Sequence, residues 1–79
     1  MDYTYSMLVE DLLLGHEFGF TYKSKTYGIV NGDKGNVLCT DNRAISPDYE
    51  DILELLARVK IDGKSIEEIF NETDNYFIL

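Results

Sequence analysis

Residues 17–40 constrain the fold more than any other part of the chain. Apolar side chains recur there at every second position, which is the pattern of a strand with one buried face. The alternating residues are Phe18, Phe20, Tyr22, Tyr27 and Ile29. Polar residues 23–25 break the pattern, and a second break at residues 31–35 suits a hairpin turn, because asparagine and glycine tolerate positive φ. Residues 36–40 supply a third short strand. The stretch therefore predicts a three-stranded antiparallel meander whose apolar face must be covered.

Helical patterns before and after the meander supply that cover. In residues 4–14, apolar side chains recur three and four positions apart, Thr4 or Ser6 suits the N-cap, and Gly15 suits the end of a helix. Ser46 followed by Pro47 is a start signal for a second helix that runs to about Val59. The side chains expected to face the sheet from this second helix are Tyr49, Ile52, Leu53, Leu56 and Val59.

The end of the chain adds two further predictions. Ser65 and Glu68 form a capping-box pattern, which predicts a short third helix. The apolar residues 76–79 are expected to dock, either as a fourth strand or across the helices. The sequence thus predicts one α+β domain over residues 1–79, with the order helix, three-stranded antiparallel meander and two C-terminal helices packed on one sheet face.

The charge balance narrows the classes of partner. Fifteen acidic residues against seven basic ones give a net charge of −8, which argues against direct binding to nucleic acid or to an anionic membrane surface. It permits a basic partner. A single cysteine allows no intramolecular disulfide, and no run approaches the about 20 apolar residues of a membrane span. We expect a cytoplasmic protein.

The sequence gives little support for catalytic residues or for a site that binds a metal or cofactor. Cys39 and His16 are each the only residue of their type, and Cys39 lies in a predicted strand, where cysteine usually behaves as a small core residue. One histidine and one cysteine cannot fill a structural zinc shell. The acidic and glycine-rich segments also lack the spacing of a calcium loop or a phosphate loop. We expect no enzymatic activity, no metal and no cofactor.

The acidic residues near the C-terminal helices are the main candidate site. Within the second predicted helix, Asp48, Asp51 and Glu54 would form a row of carboxylates, because residues three apart are neighbours on a helix. Such a row can imitate a phosphate backbone and occupy the cationic groove of a nucleic-acid-binding protein. The candidate contact residues are Asp48, Glu50, Asp51, Glu54, Glu67, Glu68, Glu72 and Asp74. The alternative is a solvated face that only keeps the protein in solution.

A second candidate interface is the apolar C-terminus. Its residues are Tyr76, Phe77, Ile78 and Leu79. They are suited to adding a strand to the sheet edge of a partner or to forming a homodimer.

Two segments together resemble a known group of proteins. EFGFTYKSKTYGIV (residues 17–30) and VKIDGKSIEEIFNE (residues 59–72) resemble small acidic proteins carried by phages and mobile elements of Gram-positive bacteria. Their shared pattern is an aromatic strand, a lysine-flanked turn, a tyrosine in the next strand and an IDGK-S-I box. The resemblance implies an inhibitor of host defence, such as an anti-CRISPR protein, whose partner is a basic nucleic-acid-binding protein such as a defence nuclease. It implies no catalytic residues.

Overall fold

The alternating stretch forms three strands that follow one another in an antiparallel sheet. They are β1 (Phe18–Tyr22), β2 (Lys25–Gly32) and β3 (Gly35–Thr40). Ile29 lies opposite both Phe18 and Leu38, so these three side chains share one face of the sheet and are buried there. The computed structural model describes the backbone of residues 3–78 and the side chains of residues 3–73.

Two more strands extend the sheet to five, in the order β4-β3-β2-β1-β7. The short β4 (Arg43–Ala44) pairs with β3, and β7 (Asp74–Ile78) pairs antiparallel with β1, with an irregularity between Gly19 and Thr21. The end of the chain therefore docks as a strand, which is the first of the two expected arrangements; Leu79 lies outside the described residues. A separate hairpin joins β5 (Lys60–Ile61) to β6 (Lys64–Ser65).

Three helices complete the α+β architecture that the sequence predicts. These are α1 (Tyr5–Leu13), α2 (Ile52–Arg58) and the single turn α3 (Ile66–Ile69), which continues into a 3-10 turn over Phe70–Glu72. All three contribute side chains to one buried cluster with the apolar sheet face. The helical members of the cluster include Leu8, Leu12, Ile52, Leu55, Leu56, Ile66 and Ile69.

Local capping explains where α1 and α3 begin. The Thr4 hydroxyl accepts a hydrogen bond from the backbone N–H of Met7 at 3.2 Å, so Thr4 is the N-cap of α1. At α3 the predicted capping box is present, because the Glu68 carboxylate accepts from the Ser65 N–H at 2.7 Å and the Ser65 hydroxyl accepts from the Glu68 N–H at 3.1 Å. Gly15, with φ of +93°, follows α1 as expected.

The predicted start of the second helix at Ser46 is wrong. The Ser46 hydroxyl instead accepts a hydrogen bond from the Leu38 N–H at 2.9 Å, and Tyr49 exchanges two backbone hydrogen bonds with Asn36. Residues 43–49 therefore follow the outer edge of β3, because the backbone donors of that edge need partners. The helix begins only after Asp51, whose carboxylate accepts from the Leu53 N–H at 2.9 Å.

The later start also rotates the helix relative to the prediction. Leu53 was expected to face the sheet, but its side chain is 50% exposed, whereas Leu55 is fully buried. Asp41 and Asn42 form a two-residue turn between β3 and β4, with φ of +52° and +60°. Aspartate and asparagine adopt this left-handed conformation more readily than most residues, which explains the tight turn.

Candidate protein-interaction surface

The two ends of the sheet differ in how their charged residues are distributed. One end holds the β2–β3 turn, the α1–β1 junction and the segment before α2, and we call residues 15–17, 31–36 and 48–51 the acidic end. Its carboxylates are Glu17, Asp33, Asp48, Glu50 and Asp51, against the single basic residue Lys34. The other end holds the β1–β2 turn, the β3–β4 turn and the β5–β6 hairpin, and we call residues 23–25, 40–43 and 60–64 the lysine end. Its basic residues are Lys23, Lys25, Arg43, Lys60 and Lys64, against Asp41 and Asp62.

Hydrogen bonds to backbone groups assemble the acidic end from three separate segments. The Asn31 side chain donates to the Gly15 carbonyl at 2.9 Å, and the Glu17 carboxylate accepts from the Asn31 N–H at 2.8 Å. These two bonds connect the end of α1 to β2. The Asn36 amide donates to the carbonyls of Tyr49 at 3.1 Å and Glu50 at 3.4 Å, which brings the start of α2 against β3.

A cleft of about 300 Å³ lies where these three segments meet. Leu12 and Leu13 of α1 lie on one side of it, and Glu50, Asp51 and Ile52 lie on the other. Gly15, Asn31 and Asn36 complete its lining. Apolar and acidic side chains therefore line the same concave surface.

Exposed leucines occur on both helices that contribute to this cleft, where Leu13 is part of the lining and Leu53 follows the lining residue Ile52. Leu13, Leu14 and Leu53 expose 58%, 76% and 50% of their surface, and Ile45 at 49% is the other large exposed apolar residue in the described part of the chain. Sequence reasoning missed this feature. A signal was available, because consecutive helical residues are about 100° apart. The run Leu12–Leu13–Leu14 therefore could not point all its side chains into the core.

The structure separates the carboxylates that the sequence groups together. The predicted helical row of Asp48, Asp51 and Glu54 is wrong, since Asp48 precedes α2, Asp51 caps it, and Glu54 forms an i,i+4 ion pair with Arg58 at 3.3 Å. This follows from the later helix start. Asp48 and Glu50 are both exposed at the acidic end.

The remaining predicted contact residues lie on or near α3. Glu67 is exposed, Glu68 is used in the capping box, and Glu72 forms an ion pair with Lys64 at 3.6 Å. Hydrogen bonds from the Ser65 N–H and hydroxyl hold the pKa of Glu68 below its ordinary value. Asp74 begins β7, opposite Thr21. The predicted residues therefore form two groups, one at the acidic end and one around α3.

The lysine end is internally neutralised to a larger extent. Lys23 pairs with Asp62 at 3.3 Å, which connects the β1–β2 turn to the β5–β6 hairpin and raises the pKa of Lys23. The ammonium groups of Lys23 and Lys25 also lie 5.3 and 5.9 Å from the ring centres of Tyr22 and Tyr27. At this end, the ammonium groups of Lys23 and Lys25 therefore interact with a carboxylate and with aromatic rings of the same chain.

Cys39 and His16 do not gain catalytic features in the structure. Cys39 is half-buried in β3, and burial, with a smaller effect of the Glu17 charge, raises the pKa of its thiol. A reactive thiol needs the opposite shift. His16 is exposed between α1 and β1. Within residues 3–73, whose side chains the structure describes, no three histidine, cysteine or acidic residues gather as a metal site.

The alternative interface occupies one edge of the sheet. Residues 76–78 belong to β7, which has β1 on one side and no further strand on the other among residues 3–78. The opposite edge is closed, because residues 43–49 cover β3.

Comparison of the chain with protein-family models, with curated proteins and with solved structures finds no match in any of the three. None of the helices formed by residues 3–78 has the length and apolar character needed to cross a bilayer.

Proposed function

We propose that this chain is a small, non-enzymatic binding protein that inhibits a basic nucleic-acid-binding partner, such as a defence nuclease, by occupying its cationic surface. The observation that carries the proposal is the acidic end, where Asp48 and Glu50 are exposed and form no ion pair among the described side chains, and where Glu50 lines the same cleft as the exposed Leu13. Carboxylates that no lysine of the same chain neutralises are available to a partner. The resemblance to phage and mobile-element proteins supports the same class of partner.

The proposal predicts charge-dependent capture and competition with DNA. The tagged protein is incubated with bacterial lysate and washed at low and high salt, and each retained protein is then purified and tested for DNA binding with and without this chain. An inhibitor of the proposed kind should be released by salt and should displace DNA, because screening weakens exposed charge pairs over about 0.1–1 M salt.

Charge-reversal variants make this test specific. Asp48→Lys, Glu50→Lys and Glu67→Lys change exposed side chains that neither cap a helix nor form an ion pair among the residues described. The three changes together should abolish DNA displacement and leave the circular dichroism spectrum unchanged. Asp41→Asn, which removes a carboxylate at the lysine end and keeps a residue suited to the φ of +52°, is the control. Capture that survives the triple reversal contradicts the proposal.

A second candidate function is a homodimer formed through β7. The observation that favours it is the asymmetry of the sheet, since residues 43–49 close the β3 edge while β7 is the last strand on the other side. An edge strand of sequence DNYFI contains no lysine or proline to discourage pairing. Sedimentation over a range of concentrations should then show a dimer, with slower amide exchange in residues 74–78 as it forms. A monomer at every concentration rejects this function.

A further inference from the structure

The exposed leucines of the acidic end are poorly explained by folding alone. The last turn of α1 contains no basic residue, although a cation there would favourably meet the negative end of the helix dipole. Leu13 and Leu14 occupy those positions instead. Burial of Leu8 and Leu12 already supplies the contact of α1 with the core. Large apolar side chains at exposed positions beside charged groups are typical of interaction surfaces.

The same reasoning applies to Leu53 on α2. Position 53 points away from the core, which Ile52, Leu55 and Leu56 contact. A polar residue would satisfy the fold equally well there. Leu13 lines the cleft on α1, and Leu53 is the exposed neighbour of Ile52, which lines it on α2.

The polar groups of the cleft indicate the chemistry of an occupant. The side-chain amides of Asn31 and Asn36 donate their hydrogen bonds to carbonyls of this chain. Glu50 adds a carboxylate, which accepts hydrogen bonds but cannot donate them. Asp51 adds a second carboxylate, one oxygen of which caps α2. The cleft therefore offers apolar surface and negative acceptors. A matching segment must bring apolar side chains together with cations.

We propose that the cleft between the end of α1 and the start of α2 binds a basic amphipathic segment of a partner protein, with Leu13 and Leu53 as apolar contacts and Glu50 as the acceptor for lysine or arginine. This deepens the proposed function and rests on it, because it assigns the contact with the basic partner to one place. Apolar contacts at the centre with charged groups around them are the usual arrangement of a protein interface.

The test uses the complete chain and a synthetic probe. The probe is an amphipathic helical peptide with leucine on one face and lysine on the other, and its counterpart carries glutamate in place of lysine. Nitrogen-15 labelled protein is titrated with each, and amide shifts are mapped. The lysine peptide should shift residues 12–15 and 50–53 most, and the glutamate peptide should bind at least about tenfold more weakly.

Two variants separate this inference from the proposed function. Leu13→Ser with Leu53→Ser should weaken the lysine peptide at least about tenfold and leave the spectrum of the rest of the chain unchanged. Glu67→Gln with Glu72→Gln removes two carboxylates near α3 and should leave the affinity within about twofold. If the second pair weakens binding and the first does not, the cleft assignment is wrong while an acidic inhibitor remains supported.

Other outcomes also decide the question. Equal binding of the lysine and glutamate peptides, or no binding of either, overturns the inference. Concentration-dependent self-association that both Leu13→Ser and Lys25→Glu abolish would identify a second copy as the occupant, with its lysine end in the cleft, and would likewise overturn it. If neither variant pair affects the peptide and charge reversal also fails to affect DNA displacement, both proposals fall.

Discussion

The two ends of the sheet show two different ways of using a carboxylate. At the acidic end, Glu17 and Asp51 accept hydrogen bonds from backbone N–H groups, and Asp48 and Glu50 are exposed. At the lysine end, Asp62 is paired with a lysine ammonium of the same chain. Backbone-bound carboxylates keep their negative charge, whereas ion pairs cancel it. A net charge of −8 is therefore distributed unevenly, and the acidic end displays part of it next to the apolar side chains of the cleft.

We expect the largest effect on stability from a substitution of Gly35, which lies at the acidic end. Its φ is +134°, and a Cβ placed there would lie 2.5 Å from the Tyr49 carbonyl oxygen, which is backbone and cannot rotate away. Gly35→Ala should lower the free energy of unfolding by about 3 kcal/mol or more, measured by urea denaturation.

Gly15→Ala is the matched control for that variant. Gly15 also has positive φ, at +93°, but nothing lies within 4 Å of the added Cβ. Only backbone strain remains, so we expect a loss of about 1 kcal/mol. Equal losses in the two variants would mean that the close approach of β3 to Tyr49 does not limit this end of the sheet.

A smaller effect is expected at the start of α3, where the chain leaves the lysine end. Ser65→Ala removes the hydroxyl that accepts from the Glu68 N–H and should lower the free energy of unfolding by about 1 kcal/mol.

The Glu68 carboxylate of the same capping box should make stability depend on pH. Because the folded state lowers the pKa of Glu68, its contribution to stability is present above the ordinary value of 4.5 and is lost as the pH falls through the folded pKa. Urea denaturation from pH 7 to pH 3 should show less acid destabilisation in Glu68→Gln than in the parent; identical slopes would contradict the assignment.

The buried hydroxyl of Tyr22 should give a still smaller change, in the opposite direction. Tyr22 is 1% exposed, and its hydroxyl has no partner at hydrogen-bond geometry among the described residues, although Tyr22 is close enough to Lys23 to contribute to the raised pKa of that lysine. An unpaired buried hydroxyl is costly, so Tyr22→Phe should be neutral or should stabilise the fold by up to about 1 kcal/mol. Thermal unfolding of the two proteins checks this. A clear loss of stability would show that the hydroxyl has a partner.

The smallest effect is expected from the ion pair of the lysine end. Lys23 and Asp62 are both more than half exposed, and such pairs contribute little. Asp62→Asn should lower the melting temperature only slightly, and the difference should vanish in 1 M salt, because screening removes exposed interactions. A large, salt-independent loss would mean that Asp62 matters for the turn itself, where its φ is +55°, and not for charge.

Local signals in the sequence were sufficient for several elements. The period-two alternation of residues 18–22 and 27–29 corresponds to the buried face of β1 and β2, and the capping boxes and turn residues act within three or four positions of one another. The α+β class follows from these short-range patterns. The capping box at Ser65 is present because both of its partners lie on the same turn of the chain.

The errors occurred where a distant part of the chain supplied the partner. Ser46 has every local feature of an N-cap. Its hydroxyl nevertheless accepts a hydrogen bond from the Leu38 N–H, eight positions away, so the segment predicted to begin a helix lies along the edge of β3 instead. The shift of the helix start dispersed the predicted carboxylate row, and packing against the core buries Leu55 and leaves Leu53 exposed.

The amino-acid sequence by itself therefore determined the three strands of the meander, the caps of α1 and α3 and the excess of negative charge, because these depend on composition or on neighbours along the chain. Only the tertiary structure decided which carboxylates stay available and which leucines remain exposed. Both depend on how α1, α2 and β3 meet, through hydrogen bonds between Asn31 and Gly15 and between Asn36 and Tyr49. Those contacts span 13 to 16 positions, beyond the reach of any periodic pattern.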